Sequence, residues 1–488
     1  MIYFLGIDIG TSSVKAVLIN EAGKIISTKQ EPYPIIEPQP GYREQDAVVV
    51  KAATFKVIKK ITSESGDPSK IKSICFSAAM HSLLAVDKNN QPLIPALLWA
   101  DARSNDEAKT LKKNGTASEI YKACGTPVHP MLPLTKLLWL KKNKSELFIK
   151  ATKFVSIKEY ICYELIGQWL VDFSIASATG MFDIHELKWN EKAVQLAGIN
   201  SHQLSKPVST SWHINEWKQT IKAELGLPED IHFVIGSSDG CMANFGSNVI
   251  LNEDMAISIG TSAAVRITSE QAVMDEQESI FNYVLDDNYF ISGGASNNGA
   301  ILLEWLNKEF FNLDNVTALI DEAFTVVPGC DGLIILPYLL GERAPVWDAN
   351  AKGMVYGLQF HHTRKHFTRA IIEGIVMNIY LIAQKIIQHQ PQIKRIIASG
   401  GFVKSPGWLQ LIADVFNLPV TYHSLADASS YGAATWGGKS LELLTMSKIS
   451  TFSNYENVIQ PQKKNHDIYM SNFLVFKQLY QAGKNLNQ

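Results

Sequence analysis

The sequence predicts an α/β protein with two similar halves that face each other across a cleft. The prediction depends on residues 6–16 (Gly-Ile-Asp-Ile-Gly-Thr-Ser-Ser-Val-Lys-Ala) and residues 256–265 (Ala-Ile-Ser-Ile-Gly-Thr-Ser-Ala-Ala-Val). In each, an apolar strand leads through Gly-Thr-Ser into a second apolar strand, which is typical of a β-hairpin. Because a glycine-containing turn leaves backbone N–H groups and short hydroxyls accessible, it can contact phosphate oxygens. The repetition predicts a duplicated protein that holds a nucleotide from both sides.

In the first half, the pattern predicts a sheet followed by a helical region. A helix is expected from about residue 45 to 62, and residues 104–225 are expected to be mainly helical. The expected strands cover residues 2–9, 14–20, 24–29, 72–77 and 83–87.

The second half repeats this order of elements. Isoleucines three and four residues apart predict a long buried helix over residues 368–388, and Pro406 is expected at the first position of a helix that ends near Asn417. The expected strands cover residues 232–236, 254–268 (a hairpin), 289–292 and 395–398.

The length and composition indicate a soluble enzyme with at least two domains. A chain of 488 residues is too long for one hydrophobic core. Hydrophobic residues make up 46% and charged residues 19%, and the formal net charge is −2, so no nucleic-acid partner is expected. Since we find no apolar run of membrane-spanning length, no signal peptide and no closely spaced cysteine pair, we expect a cytoplasmic protein without a membrane partner.

Asp239 is the candidate catalytic residue. It follows the strand predicted at residues 232–236 and stands between Ser238 and Gly240. A carboxylate in this place can cap the next helix. It can also act as a general base that removes the proton from a sugar hydroxyl as that hydroxyl attacks the γ-phosphate of a nucleotide. The residues alone leave both interpretations open.

Polar segments elsewhere suggest a nucleotide site and a polyol site. Asp8 precedes the first Gly-Thr-Ser turn, where a carboxylate can hold a hydrated Mg²⁺ beside phosphates. The glycine turns at residues 293–299 and 399–401 let the backbone approach an adenosine. The segments 80–82 and 99–103 combine Trp, Asp, His and Arg, which suits the recognition of hydroxyl groups.

Several motifs in order resemble the FGGY carbohydrate kinases over about residues 1–445. The matching segments are residues 8–15 (first phosphate motif), 131–140 (first family signature), 236–240 (catalytic aspartate), 353–358 with 370–374 (second signature) and 399–401 (adenosine motif). The resemblance implies the actin, Hsp70 and sugar kinase superfold, with two RNase H-like domains at residues 1–243 and 244–488 and an interdomain cleft. The first domain would bind mainly the sugar and the second mainly ATP with Mg²⁺. The substrate would be a small molecule, and a homodimer is one option for the oligomeric state.

The family's functional roles are carried over to matching positions of this chain. Asp8 would assist Mg²⁺, and Asp239 would be the catalytic base. The implied nucleotide contacts are Gly10, Thr11, Ser12, Ser13, Lys15, Gly260, Thr261, Gly299, Leu303, Gly400, Gly401 and Ser405.

Within the family, the substrate segments are most similar to those of gluconokinases. Because gluconate is a carboxylate, it needs a cationic partner, for which Arg103 is the first candidate and Arg343 the second. The expected reaction converts ATP and D-gluconate into ADP and 6-phosphogluconate. Xylulokinase activity is one alternative, and a non-catalytic protein that uses ATP to change shape is another. The implied substrate contacts are Met80, His81, Trp99, Asp101, Arg103, Asp239 and Arg343.

Overall fold

The computed structural model describes residues 1–250, 253–313, 315–422, 427–452 and 456–484. The strands of the first half are β1 (Tyr3–Ile9), β2 (Ser13–Asn20), β3 (Ile25–Pro32), β4 (Glu44–Gln45), β5 (Ile71–Ala78), β6 (Leu84–Val86), β7 (Ala96–Leu97), β8 (Lys153–Val155), β9 (Leu170–Asp172), β10 (Phe182–Asp183), β11 (Lys188–Trp189), β12 (Lys206–Val208), β13 (His213–Ile214) and β14 (His232–Ser238). The strands of the second half are β15 (Asp254–Ile259), β16 (Ala263–Ser269), β17 (Phe281–Asp286), β18 (Tyr289–Ser296), β19 (Ile334–Leu336), β20 (Met354–Tyr356), β21 (Arg395–Ser399), β22 (Val420–Tyr422) and β23 (Glu456–Ile459).

Helices cover both sheets. Those of the first half are α1 (Ala47–Ser63), α2 (Asn105–Lys113), α3 (Thr116–Cys124), α4 (Pro133–Asn143), α5 (Ser145–Lys150), α6 (Ile157–Ile166), α7 (Phe173–Ser177), α8 (Glu191–Ala197), α9 (Gln219–Glu224) and α10 (Asp239–Gly246). Those of the second half are α11 (Ile301–Leu306), α12 (Val316–Ala323), α13 (Arg364–His389), α14 (Pro406–Phe416), α15 (Ala428–Ser440), α16 (Met446–Ile449) and α17 (Lys463–Lys484).

The two main sheets share one core arrangement. The strand orders are β13-β14-β5-β1-β2-β3 and β17-β18-β16-β15-β21-β22-β23. In each sheet a hairpin (β1-β2 or β15-β16) has an antiparallel strand on one side and two parallel strands on the other. This repetition confirms the predicted duplicated α/β fold. Because parallel strands end at the same edge of a sheet, each hairpin turn lies beside the segments that follow the parallel strands.

Helix α13 forms the core of the second half. Its isoleucines at positions 371, 372, 375, 379, 382 and 386 are all buried, in agreement with the predicted period. By length and composition the helix is apolar enough to cross a membrane, but 72% of its most apolar stretch is buried inside the protein.

The two halves meet through α10 and α15. A Cβ atom on Gly432 of α15 would lie 2.0 Å from the Met242 carbonyl oxygen of α10, and one on Gly6 of β1 would lie 1.9 Å from the Ser430 carbonyl oxygen. Only glycine permits these approaches, so α15, from the second half, packs directly on the first sheet. The predicted domain boundary between residues 243 and 244 falls inside α10.

Several elements were not predicted from the sequence. The region 104–225 contains six short strands, β8 to β13, beside its helices. Helix α15 was also missed, because its glycines at 432, 437 and 438 disfavour a helix locally. Burial between α10 and the first sheet makes α15 helical despite that preference.

Candidate active site

A cavity of about 220 Å³ lies between the two halves. Sites for drug-sized ligands have volumes of about 300–1,000 Å³. Because this cavity is smaller, it suits a sugar-sized molecule. Residues from both halves line it: Thr11, Met80, His81, Trp99, Met131, Asp239, Ser258, Ser262, Ala263, Ala264, Arg266, Phe281, Tyr283, Ala295, Arg343 and Trp347.

Asp239 lines this cavity at the start of α10. The N-cap of α10 is Ser238, whose side chain accepts a hydrogen bond from the Cys241 N–H, so Asp239 is not the capping residue. Asp239 Oδ1 accepts from the Gly240 N–H at 2.7 Å. Burial raises the pKa of Asp239, while the positive charges of Arg266 and Arg343 oppose that rise. A carboxylate with a raised pKa that faces a cavity has the properties of a general base.

Two guanidinium groups face the same cavity. Arg266 lies on β16 and donates from Nη1 to Ser258 Oγ at 3.3 Å. The Arg343 guanidinium lies 4.8 Å above the Trp99 ring and donates from Nη2 to the Ser296 carbonyl oxygen at 3.2 Å. The Nε atoms of both arginines are buried without a partner in the described part of the chain. Unused buried donors of this kind favour an anionic ligand.

Arg266 was missed by the sequence analysis. Arg266 stands among apolar residues in the second strand of the hairpin. Because a charged residue in a buried strand needs a polar partner, this position is the local feature that could have indicated a functional role. The sequence did not indicate that Arg266 and Asp239 would line the same cavity.

Arg103 lies outside the residues that line the cavity. Its guanidinium donates to Asp101 from Nε at 2.8 Å and from Nη2 at 2.7 Å, and also from Nη2 to Glu44 Oε1 at 2.6 Å. The group also lies 3.9 Å from the centre of the Tyr42 ring, and the side chain is only 6% exposed. The prediction that Arg103 meets a substrate carboxylate does not fit this arrangement, since its Nε and Nη2 already donate to two carboxylates and it does not line the cavity. Asp101 likewise lies in this ion-pair cluster and not along the cavity.

Replacing Arg103 with methionine is expected to destabilise the protein by about 3–5 kcal/mol, because it leaves buried carboxylates without their cation. Chemical denaturation would measure the shift in the unfolding midpoint. The matched control is Arg364→Met, which breaks the exposed ion pair with Glu322 and should shift the unfolding midpoint far less. Equal shifts for the two variants would contradict a structural role for Arg103.

Met80 and His81 follow β5 and line the cavity. His81 Nδ1 lies 2.7 Å from the Ala178 carbonyl oxygen, and Nε2 lies 3.2 Å from the Tyr283 hydroxyl. Burial lowers the pKa of His81 to about 3, so its ring is neutral near pH 7. The buried Lys136 ammonium donates to the His81 carbonyl oxygen at 2.6 Å, which fixes this segment of the cavity wall.

The first Gly-Thr-Ser turn contributes Thr11 to the cavity. Trp99 Nε1 donates to Thr11 Oγ1 at 3.1 Å, which connects two predicted site residues. Gly10 donates its N–H to the Ser13 carbonyl oxygen at 3.0 Å and closes the turn, while Ser12 is exposed beside it. Lys15 forms an ion pair with Asp427 at 2.5 Å.

Asp8 is suited to a divalent cation. Ser77 Oγ donates to Asp8 Oδ1 at 2.7 Å. Burial, together with the nearby negative charge of Asp239, raises the pKa of Asp8 to about 7. Two carboxylates that disfavour each other's charge fit a site in which Mg²⁺ lies nearby, since Mg²⁺ uses one or two carboxylates together with phosphates. Asp8 and the first turn therefore could hold the cation.

The second Gly-Thr-Ser turn lies against both predicted glycine turns. Gly299 donates its N–H to the Thr261 carbonyl oxygen at 3.2 Å, and a Cβ atom on Gly299 would lie 2.6 Å from the Gly260 carbonyl oxygen. Gly400 has a φ of 108°, and its Cβ would lie 2.4 Å from the Ile259 carbonyl oxygen. Beside Gly400, a Cβ on Gly401 would meet nothing within 4 Å. The fold thus assembles these backbone groups in one place.

The two remaining predicted nucleotide contacts differ in accessibility. Ser405 caps α14 by accepting a hydrogen bond from the Trp408 N–H at 3.4 Å. Leu303 is 1% exposed and belongs to the hydrophobic core of the second half. The prediction that Leu303 contacts the nucleotide does not fit this burial.

Replacing Arg266 with methionine is expected to move the acid limb of the pH profile of kcat/KM to higher pH. A general base works only when it is deprotonated. Burial raises the pKa of Asp239, and the positive charge of Arg266 is the strongest of the effects that lower it. Without Arg266 that pKa rises further, so a smaller fraction of Asp239 is ionised at a given acidic pH. Kinetics across the acid range would measure this, with the exposed Arg364→Met as control. An unchanged acid limb would contradict the assignment of Asp239.

Comparisons with known proteins cover nearly the whole chain. The N-terminal domain pattern of the FGGY family of carbohydrate kinases matches residues 3–246, and the C-terminal domain pattern matches residues 255–441. A gluconokinase of Bacillus subtilis (strain 168) is 37% identical over 468 residues, which covers 94% of this chain and 90% of that protein.

Two solved structures resemble the fold closely. A gluconate kinase from Lactobacillus acidophilus superposes with a TM-score of 0.94 at 34% identity, covering 99% of this chain and 98% of that one. A ligand-bound xylulose kinase from the same organism gives a TM-score of 0.95 at 33% identity, covering 99% of both chains. Relatives with two different sugar substrates are thus similar to this chain to nearly the same extent.

Proposed function

The chain belongs to the FGGY family of carbohydrate kinases, and from that premise we propose that it phosphorylates D-gluconate with ATP, giving 6-phosphogluconate and ADP. The observation that carries the choice of substrate is the charge of the cavity, where Arg266 and Arg343 face a single aspartate, Asp239. Two cations against one carboxylate favour an anionic sugar over a neutral one.

The two arginines differ in their electrostatic effect on Asp239. Arg266 affects the pKa of Asp239 more strongly than Arg343 does. We therefore place Arg266 beside the transferred phosphoryl group, whose charge it would stabilise. Arg343, held above the Trp99 ring, takes the carboxylate at the other end of the sugar acid. This assignment replaces Arg103 with the second candidate of the sequence analysis.

Asp239 is proposed to orient the terminal hydroxyl of gluconate and accept its proton as the hydroxyl attacks the γ-phosphate. Met80, His81 and Trp99 shape the walls that hold the sugar. Closure of the cavity over bound substrates would exclude water from the reacting atoms, which would limit wasteful hydrolysis of ATP.

ATP would supply the phosphoryl group, and bound Mg²⁺ would neutralise part of its charge. Asp8 would hold the cation. The nucleotide would lie against Gly260 and Thr261, which are exposed, and in the open space at Gly401. Ser405, at the start of the next helix, is a further proposed contact. The phosphate chain would meet the first turn, where the proposed contacts are Gly10, Thr11, Ser12, Ser13 and Lys15. Gly299 and Gly400 are proposed to shape the second turn through their close backbone approach.

D-xylulose is the second candidate substrate, because a xylulose kinase has nearly the same similarity to this chain. A neutral ketopentose, however, brings no negative charge to the Arg343 Nε, which is buried without a partner in the described part of the chain. A non-catalytic switch protein has no need of a sugar-sized cavity lined by Asp239 and two arginines.

We also propose a cytoplasmic location, which five free, buried cysteines support. The homodimer stays a prediction.

The test is ADP release by the purified protein with MgATP and D-gluconate, D-xylulose, D-ribulose, glycerol or no sugar. We expect gluconate to give about 10–150-fold higher kcat/KM than the neutral compounds, as one charged hydrogen-bonded contact contributes about 1.5–3 kcal/mol. A preference for a ketopentose would overturn the choice of gluconate. ADP release that does not depend on any sugar would favour the switch protein.

A further inference from the structure

A second buried carboxylate, Glu342, stands beside Arg343 but outside the cavity lining. The side chain is 0% exposed. It accepts five hydrogen bonds: Oε2 from Ser296 Oγ at 2.6 Å, Asn378 Nδ2 at 3.0 Å and Asn298 Nδ2 at 3.1 Å, and Oε1 from the Arg343 N–H at 2.7 Å and the Asn297 N–H at 2.9 Å.

These donors come from three separate parts of the second half. Ser296 ends β18 and leads into the turn whose Gly299 packs on the second Gly-Thr-Ser turn. Asn378 lies on the core helix α13. Arg343 lines the cavity, and its Nη2 donates back to the Ser296 carbonyl oxygen at 3.2 Å. Glu342 therefore connects two segments through hydrogen bonds. One is the loop that contains Arg343, and the other is the turn at residues 296–299.

We propose that Glu342 is a positioning residue that holds Arg343 and the turn at residues 296–299 as one unit, so that sugar acid and nucleotide each favour the binding of the other. The inference rests on the proposed function. A ligand that orders Arg343 also orders the turn through this carboxylate, so the second ligand loses less conformational entropy when it binds. A carboxylate suits this role because it offers several acceptor sites and no competing donor.

Glu342→Gln tests the proposal because it keeps the size of the side chain but places an N–H₂ group opposite existing donors. Calorimetry would give the Kd of gluconate with and without a non-hydrolysable ATP analogue and Mg²⁺. We expect the analogue to tighten gluconate binding at least about fivefold in the wild type and less than about twofold in Glu342→Gln. Ser296→Ala, which removes one donor, should give an intermediate coupling.

The matched control is Glu373→Gln. Glu373 is also a buried carboxylate of the second half, but it accepts from Arg369 Nε at 2.8 Å and from the Gly329 N–H at 3.2 Å, and it does not line the cavity. This variant loses a buried charge without touching Arg343, so its coupling should equal that of the wild type.

Three results would overturn the proposal: no coupling in the wild type, wild-type coupling in Glu342→Gln, or an equal loss of coupling in Glu342→Gln and Glu373→Gln. If Glu342→Gln does not fold, wild-type coupling in Ser296→Ala overturns it instead. Failure of the gluconate assignment is seen separately, as wild-type turnover with another sugar. The coupling is then measured with that sugar, and the same outcomes decide the role of Glu342.

Discussion

Replacing Asp239 with asparagine is expected to lower kcat by about 10²–10⁴-fold, the usual contribution of a positioned general base. The amide has nearly the size of the carboxylate, and its oxygen can still accept from the Gly240 N–H. It cannot take the proton of the attacking hydroxyl. The loss should therefore appear in the chemical step.

The fold should tolerate Asp239→Asn, because Ser238 and not Asp239 caps α10. We expect the Kd of an ATP analogue and the midpoint of thermal unfolding to stay near their wild-type values. Single-turnover kinetics with gluconate would isolate the rate of phosphoryl transfer. The control is Asp230→Asn, in which the exposed carboxylate paired with Lys72 is lost. Turnover within a few-fold of the wild type would mean that Asp239 is not the base.

Replacing Arg343 with methionine is expected to raise the KM for gluconate by about 10–150-fold, the equivalent of about 1.5–3 kcal/mol for a charged hydrogen bond. Methionine keeps the length of the side chain and can still pack on the Trp99 ring. The KM for D-xylulose, which has no carboxylate, should rise much less. The decisive quantity is the ratio of kcat/KM for the two sugars.

Arg103→Met is the comparison that separates the two arginines. Because Arg103 is paired with Asp101 and Glu44, its loss should weaken the use of gluconate and of xylulose to the same extent. A selective loss of gluconate in Arg103→Met, with an unselective effect of Arg343→Met, would restore the assignment made from the sequence. Equal losses for both sugars in Arg343→Met would remove the carboxylate contact from the proposal.

The fold and the parts of the site that follow strands were predictable from sequence. A Gly-Thr-Ser turn between two apolar strands is a local pattern, and its recurrence indicated the duplication that the two sheets confirm. Asp239 and Gly400 lie at strand ends, which is also a local property. The short strands and α15 were missed because non-local burial outweighs their local preferences.

The partners of charged side chains were not predictable in this way. Arg103 stands two residues from Asp101 and meets Glu44 across 59 positions of the chain, whereas Arg266 and Asp239 approach the same cavity from different halves. Leu303 could be read as a nucleotide contact until packing placed it in the core. Each of these outcomes depends on distances in space that residue spacing does not contain.

The sequence by itself determined the class of the protein: two Gly-Thr-Ser turns, a strand-end aspartate and the family motifs indicate a sugar kinase. These features depend on bonds and turns between neighbours in the chain, so they are visible without the fold. Only the tertiary structure decided which cations face the cavity and which are already paired. Electrostatic energy depends on separation and burial in three dimensions, and packing sets both.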